Sequence, residues 1–483
     1  MNTRALCLVL VAMSMAGCAN YSGLDTQGQR LDANTLQTGQ SLSGVSLSNA
    51  AWPRADWWKS LGDPQLDGLI REALQNSPDM QVASARAHQA EAAAYAANAA
   101  RMPTLDASAG VTRSRLARDQ DPLGQGDAYS TVRNIGASFN YTFDLWGGQR
   151  AAWEAALGQA RAAQVDQQAA RLTLAADVAK AYSDLGQAHI VRDLATDDLK
   201  RTRQMLDLSK RRLDSGIDSH YQYQQTESLE ASAQSQLIDA EKQLQSAKIA
   251  LAVLLGKGPD RGNELARPTV LKPAAVAVPS VLPAELLGRR PDLIAARWRV
   301  EAASKDIAAS KTRFYPNLNL SASAGAESLL GDAMFGSPSR FFNIAPTISL
   351  PIFDGGRLRA DLDARDADYD LAVAQYNKTL VQALGDIGNT LSQLRETGRQ
   401  IQAQQHATDI AQQSYDTVVQ RYGSGIGNYL DVLSIEQQLL QAQRQLATLN
   451  AGQIALSIQL MQALGGGYSA DNVASTTPAT RTE

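Results

Sequence analysis

The sequence predicts a mainly α protein with a small membrane β part, built twice from one pattern of long coiled-coil helical hairpins. Three observations lead there. First, Pro78 to Leu105 matches Pro291 to Leu318 without a gap, at an offset of 213 positions. Further on, Asp177-Val178 falls on Asp386-Ile387, Gly216 on Gly425 and Glu227 on Glu436, at an offset of 209, so two structural repeats are present. Second, no proline interrupts Gln149 to Leu213. Those 65 residues reach roughly 100 Å if wholly helical. Third, four runs of strict apolar/polar alternation mark strands, two in each repeat.

The first element is an export signal. Arg4 gives a positive start, Ala5 to Met13 an apolar run, and Met15-Ala16-Gly17-Cys18 a bacterial lipobox. Cleavage leaves Cys18 as the first residue, carrying an N-acyl diacylglyceryl lipid; the rival reading is an ordinary signal with an incidental cysteine. Ala19 follows where an aspartate usually means inner-membrane retention, which favours the outer membrane. Residues 19–50 are rich in Ser, Gly, Gln and Asn and read as an extended tether. Trp52, Trp57 and Trp58 then anchor an arm ahead of Asp63-Pro64-Gln65-Leu66, where helical spacing begins.

The strands come next. Leu105, Ala107, Ala109 and Val111 alternate with polar residues, as do Ile135, Ala137, Phe139, Tyr141, Phe143 and Leu145. In the second repeat the apolar positions are Leu318, Leu320, Ala322 and Ala324, then Phe342, Ile344, Ile348, Leu350 and Ile352. Pro346 and Pro351 argue against a central position for the last of these. A soluble sandwich shows the same alternation. Here the strands are flanked by very long helices, and nothing is left to cover their apolar faces. Four strands cannot close a barrel, and open edges cannot sit in lipid. Strands in a membrane must therefore share a barrel among several chains, eight strands from two copies or twelve from three.

Long helices follow each strand pair. Leu174, Val178, Ala181, Leu185 and Ala188 keep heptad spacing, as do Leu237, Ala240, Leu244, Ala247, Leu251 and Leu254, and later Leu439, Ala442, Leu446 and Leu449. Residues 1–17 are thus the signal, 18–62 the lipidated tether and Trp-rich arm, and 63–256 the first repeat, with strands near 104–113 and 132–145 and a tip near 213–219. A Pro-rich equatorial linker covers 257–283. The second repeat is 284–464, with strands near 317–326 and 341–353 and a tip near 422–428, and 465–483 is a disordered tail.

The tips carry the candidate site. Arg212-Leu213-Asp214-Ser215-Gly216-Ile217 recurs as Arg421-Tyr422-Gly423-Ser424-Gly425-Ile426. The glycine ends one helix and Ser219 or Asn428 caps the next. Ser219 with Gln222 fits a capping box. Asp431 has the same spacing from Asn428 and suits a helix N-terminus. On an axis of symmetric copies it also repeats as a ring of carboxylates that attracts cations. Arg212 and Arg421 suit the last helical turns, and can form ion pairs that lock an aperture.

Chemistry of other kinds is missing. His88, His189, His220 and His406 lack metal-ligand spacing, and no nucleophile elbow, phosphate loop or dinucleotide fingerprint occurs. A formal net charge of −4 argues against nucleic acid as a partner. The chain reads as no enzyme.

These motifs resemble the TolC-like outer-membrane factor family, in its lipoprotein (NodT-type) branch, from about Trp52 to Gly467. The carriers are Trp57-Trp58 with Asp63-Pro64-Gln65-Leu66, Arg290-Pro291-Asp292-Leu293, Phe314-Tyr315-Pro316-Asn317-Leu318 and Pro351-Ile352-Phe353-Asp354-Gly355-Gly356-Arg357-Leu358. Tyr422-Gly423-Ser424-Gly425 with Tyr429-Leu430-Asp431-Val432-Leu433, and Ala463-Leu464-Gly465-Gly466-Gly467, complete them. The resemblance implies a homotrimer with a trimeric α-barrel and a shared twelve-stranded transmembrane β-barrel. It implies an efflux duct in the outer membrane, opened by a periplasmic membrane-fusion adaptor and fed by a proton- or ATP-driven inner-membrane pump. Adaptor contact carries over to Gly216, Ile217, Gly425 and Ile426. Asp431 matches one aperture acid; Ser434 stands where some members carry a second, and Gly427 where some carry a polar or charged residue. The implied aperture is less tightly locked or less cation-selective than theirs. The rival is a periplasmic coiled-coil structural or adaptor lipoprotein without a pore.

Overall fold

Eleven main elements follow in chain order: α1 (Pro64–Asn76), α2 (Pro78–Ala99), β1 (Thr104–Arg115), β2 (Tyr129–Phe143), α3 (Gly148–Asp214), α4 (His220–Leu254), α5 (Pro291–Thr312), β3 (Asn317–Ser328), β4 (Arg340–Ser349), α6 (Arg357–Gly423) and α7 (Tyr429–Ala463). The computed structural model describes residues 20–36, 47–48, 52–115, 129–269, 271–273, 278–279, 288–329 and 334–468. The signal, Cys18 and residues 469–483 lie outside them. The duplication is visible in the helix lengths. The outgoing helices α3 and α6 have 67 residues each, and the returning α4 and α7 have 35 each. The described residues form two compact units, one from those within 20–30, 87–163 and 295–377, the other from those within 31–86, 164–294 and 378–468.

The first unit holds an antiparallel sheet in the order β1-β2-β3-β4. Its register sorts the side chains by polarity. Leu105, Phe139, Ala322 and Ile344 form one cross-strand row, and Ala107, Ala137, Ala324 and Phe342 the next on the same face. Asp106, Ser138, Ser323 and Asn343 form a row on the opposite face. Val132, Phe341 and Ala345 fall with the polar rows, but period-two alternation puts most apolar residues on the first side. That side stays uncovered: Phe342 is 83% exposed, and Leu105, Ile344 and Ile348 are exposed as well. Among the described residues, β1 and β4 each pair on one edge only.

The alternation carries the last strand on to Ile352, within the expected 341–353, but β4 stops at Ser349. Pro351 has no N–H to continue a ladder. Pro346 stays inside β4, opposite Leu320, because β4 is an edge strand, where a sheet tolerates proline.

The tether expected from residue 19 is docked where it is described. Arg359 Nη1 donates to the Asn20 carbonyl at 2.6 Å, and the Tyr21 and Tyr315 hydroxyls share a 3.0 Å hydrogen bond. Tyr21 packs edge-on against Phe314 at 5.4 Å, beside Leu358 and Leu362. Asp370 Oδ1 accepts the Gly28 N–H at 2.7 Å, and Asn377 Nδ2 donates to the Gln29 carbonyl at 2.8 Å.

In the second unit Trp57 and Trp58 are buried with Leu66 and Ile70 of α1, Val178, Tyr182 and Leu185 of α3, Leu251 of α4 and Ile458 of α7. Asp63 caps α1 by accepting Gln65 N–H at 2.8 Å. Its other oxygen accepts Tyr182 Oη–H at 2.7 Å and Thr269 Oγ1–H at 2.8 Å. The first part of the linker is therefore tied down, and Arg261 also grips Glu72 through two hydrogen bonds of 3.1 and 2.9 Å. On α4 the heptad positions Ala240, Leu244 and Leu251 are buried, with Ala233 one heptad before Ala240.

The start of the expected disordered tail is ordered instead. Gly465, Gly466 and Gly467 all take positive φ, and Tyr468 is buried. A Cβ on Gly467 would lie 2.2 Å from the Arg54 carbonyl carbon, so the backbone packs where only glycine fits.

Candidate functional site

Both tips are built by the same backbone device. At the first, Ile217 N–H reaches Arg212 O at 2.9 Å and Gly216 N–H reaches Leu213 O at 2.9 Å. At the second, Ile426 N–H reaches Arg421 O and Gly425 N–H reaches Tyr422 O, both at 3.1 Å. This is the Schellman pattern, and it needs the left-handed glycines Gly216 (φ 72°) and Gly425 (φ 80°). Such a turn usually tucks the following apolar residue against its own helix. Here Ile217 and Ile426 stay 64% and 73% exposed.

The returning helices start differently. Ser219 and Gln222 complete a capping box: Ser219 Oγ accepts Gln222 N–H at 3.3 Å, and Gln222 Oε1 accepts Ser219 N–H at 2.7 Å. The Gln222 side chain is thus engaged in its own cap. Asn428 Oδ1 accepts Leu430 N–H at 3.1 Å and leaves Asp431 out of the cap. Asp431 and Ser434, one turn later, are both exposed. Arg421 is exposed too, and no ion pair joins it to the described residues. Among the described residues, no cluster of three His, Cys, Asp or Glu side chains could hold a metal.

Arg212 is in a different position. Its Nε donates to Asp218 Oδ1 at 3.0 Å, and its guanidinium lies 4.5 Å from the centre of the Tyr422 ring. Tyr422 Oη–H donates to the other Asp218 oxygen at 2.9 Å, which joins the first tip to the second. Burial, then the Asp218 acceptor, push the Tyr422 hydroxyl pKa well up, so it stays a donor. Behind it Tyr422, Tyr429, Val432 and Met205 form a small core. Tyr429 Oη and Thr226 Oγ1 share a 2.6 Å hydrogen bond, a second tie between the hairpins. Gly427 is half-buried, and a Cβ there would lie 2.6 Å from Tyr422 N.

The structure thus brings Arg212 together with Asp218, which the sequence did not single out, and with the phenol of Tyr422, which the sequence placed in the second tip without a role. It leaves Asp431, Ser434 and Arg421 facing solvent in the single chain. One sequence signal for Asp218 existed. In the aligned repeats it falls on Gly427, an exchange of a charge for no side chain directly after the Ser-Gly-Ile that both tips share.

Comparison with known proteins bears on the whole chain. The sequence pattern described as outer membrane efflux protein matches residues 69–257 and 282–466. The fusaric acid resistance protein FusA of Burkholderia cepacia is 36% identical over 373 residues, 76% of this chain and 69% of that protein. The multidrug resistance outer membrane protein MdtP of Escherichia coli K12 is 30% identical over 482 residues, 97% of each. Among solved structures, the outer membrane protein VceC of Vibrio cholerae superposes with a TM-score of 0.79 at 35% identity, covering 86% of this chain and 100% of that one.

Proposed function

Because the chain belongs to the outer membrane efflux protein family and is an outer-membrane efflux channel, we propose that it acts as a homotrimeric, passive, gated duct. The observation that carries this reading is the four-stranded sheet, with one bare apolar face and two half-paired edge strands. In lipid such edges must be satisfied, and three copies joined β4 to β1 close twelve strands into one barrel. The polar rows of Ser, Asn and Thr then face the passage. The hairpins line its periplasmic part, and the tips form its gate.

An adaptor docks on Gly216, Ile217, Gly425 and Ile426, where two apolar side chains stand out from turns that normally cover them. An inner-membrane pump, proton- or ATP-driven, delivers the cargo. The relatives' names, fusaric acid resistance and multidrug resistance, suggest small organic compounds. Asp431 repeats as a carboxylate ring at the aperture, with Ser434 in place of a second acid and Arg421 exposed on the same tip.

The N-acyl diacylglyceryl group sits on Cys18. Asn20, two residues later, is tied by Arg359 and its neighbour Tyr21 by Tyr315, close to the β3 and β4 ends of the sheet. That tie supports a lipid entering the membrane beside the barrel. Cys18→Ser abolishes acyl labelling while the barrel still inserts; unchanged labelling refutes the lipid assignment.

Heat-modifiable trimers in outer-membrane fractions, with single-channel conductance in planar bilayers, are the expected outcome for the duct. A water-soluble delipidated monomer with no conductance overturns it.

A further inference from the structure

Behind the tips, α3 and α7 bury charges that neither the caps nor the Asp218 network uses. The Glu436 side chain of α7 is 8% exposed, and its Oε1 lies 3.6 Å from Arg201 Nε of α3. Asp198, one turn before Arg201, is 6% exposed and 4.0 Å from Arg201 Nη2. Neither contact is a hydrogen bond: Arg201 Nε and Nη2 and Glu436 Oε1 are buried without a hydrogen-bond partner. Tyr415 of α6 lies on the same site, its ring centre 5.8 Å from the Arg201 guanidinium. On α7 itself Tyr429 lies seven residues before Glu436 and Arg444 eight residues after, reached from α4 by the neutral Thr226 and Gln236.

Glu436 faces the Asp198 carboxylate and the Arg201 guanidinium, while Arg444 acts on Asp198, so ionised Glu436 beside ionised Asp198 leaves a surplus negative charge around Arg201. A buried, poorly hydrogen-bonded charge is costly, and a bound proton removes the surplus. We infer that Glu436, with Asp198 and Arg201, is a proton-operated latch between the two hairpins. With the proton in place α7 stays packed on α3; its loss weakens that packing and frees the second tip to move. The latch rests on the gated-duct reading and adds a trigger to it.

The direction with pH follows from burial. Burial, then Asp198, push the Glu436 carboxyl up to about 7, with Arg201 opposing them. Burial also raises Asp198, against the pull of Arg201 and Arg444. Burial and the nearby Glu436 carry the Tyr415 hydroxyl up to about 12, so it stays neutral throughout. Below the ordinary glutamate value of 4.5, packed and separated hairpins both hold the proton and pH has no leverage. Between 4.5 and about 7 only the packed form holds it, so packing weakens as pH rises and the loss is complete above about 7.

The test is conductance of the purified trimer in planar bilayers at constant salt, from about pH 5 to about pH 8. The open fraction of the natural protein is expected to rise between 4.5 and about 7. Glu436→Gln, which keeps shape and loses the titration, is expected to flatten the profile. Asp198→Asn removes the like charge and is expected to move the midpoint down; Arg201→Gln is expected to move it up. These two neighbours keep the test decisive if Glu436→Gln fails to assemble. A conducting trimer whose Glu436→Gln form keeps the natural profile overturns the latch alone, as does a natural profile that is flat. A trimer silent at every pH overturns the duct and the latch together.

Discussion

At the first tip the residue after the Schellman turn is Asp218, buried and bonded to Arg212 and Tyr422. At the second tip the matching residue is Gly427, pressed against the Tyr422 backbone. Leu213 in the first copy corresponds to Tyr422 in the second, and Gln222 to Asp431. Both backbones make the same two Schellman hydrogen bonds, yet each tip supplies what the other lacks. One brings the carboxylate, the other the phenol and the space to lean it over. Duplication accounts for the shape of the hairpins. Divergence at the first two of these positions accounts for how they hold one another, because two identical tips would present either two carboxylates or two phenols.

The largest break in this comparison is expected from Asp218→Ala. Arg212 is 16% exposed and Asp218 3%, so the pair is shielded from solvent. Removing the carboxylate leaves a half-buried guanidinium and a buried phenol without their acceptor, and breaking such a pair costs about 3 kcal/mol or more. The thermal midpoint of the helical circular dichroism signal should fall, and protease should cut first near the tips. Tyr422→Phe keeps the ring under Arg212 and loses one hydrogen bond, so its cost should be nearer 1 kcal/mol.

A smaller break is expected from Gly427→Ala. The new Cβ meets backbone atoms, Tyr422 N at 2.6 Å and Arg421 C at 2.9 Å, which cannot swing aside as a side-chain end can. Overpacking of this kind costs about 2 kcal/mol. It should act by shifting Tyr422 away from Asp218. The double variant with Asp218→Ala should then be less destabilised than the sum of the two, since both act on one contact. Strict additivity in the same melting measurement would show that Gly427 serves the turn alone.

Much of this molecule could be read in its sequence, for physical reasons. Helix stops need left-handed glycines, so Gly216 and Gly425 were legible. Long hairpins packed through Ala and Leu repeat every seven residues, and exposed strands alternate, so α3, α4, α6, α7 and the four strands left a periodic trace. What was hidden depends on contacts across the chain. Asp218 reads as an ordinary polar loop residue until Tyr422, 204 positions away, is seen bonded to it. Glu436 reads as one more solvated acid on an amphipathic helix until Arg201 and Asp198 bury it. The same limit applies to the glycine run after α7, whose order comes from Arg54 and Arg289, remote residues that no local rule involves.

The gentlest change sharpens the comparison most. Asp431→Gln gives the second returning helix the side chain found at the matching place in the first. There Gln222 closes a box with Ser219; the new glutamine can close one with Asn428, replacing the favourable charge that Asp431 offers the helix N-terminus. Helix-end charges and caps of this kind contribute about 0.3–1 kcal/mol each, so gain and loss nearly cancel and the melting midpoint should stay put. Conductance should not. If Asp431 repeats as a ring, three carboxylates vanish from the aperture, and block by divalent cations from the periplasmic side should weaken. An unchanged block with an unchanged midpoint would leave Asp431 as a first-turn acid and nothing more. A lost block with an unchanged midpoint separates the ring from the cap, and assigns cation selection to the second tip.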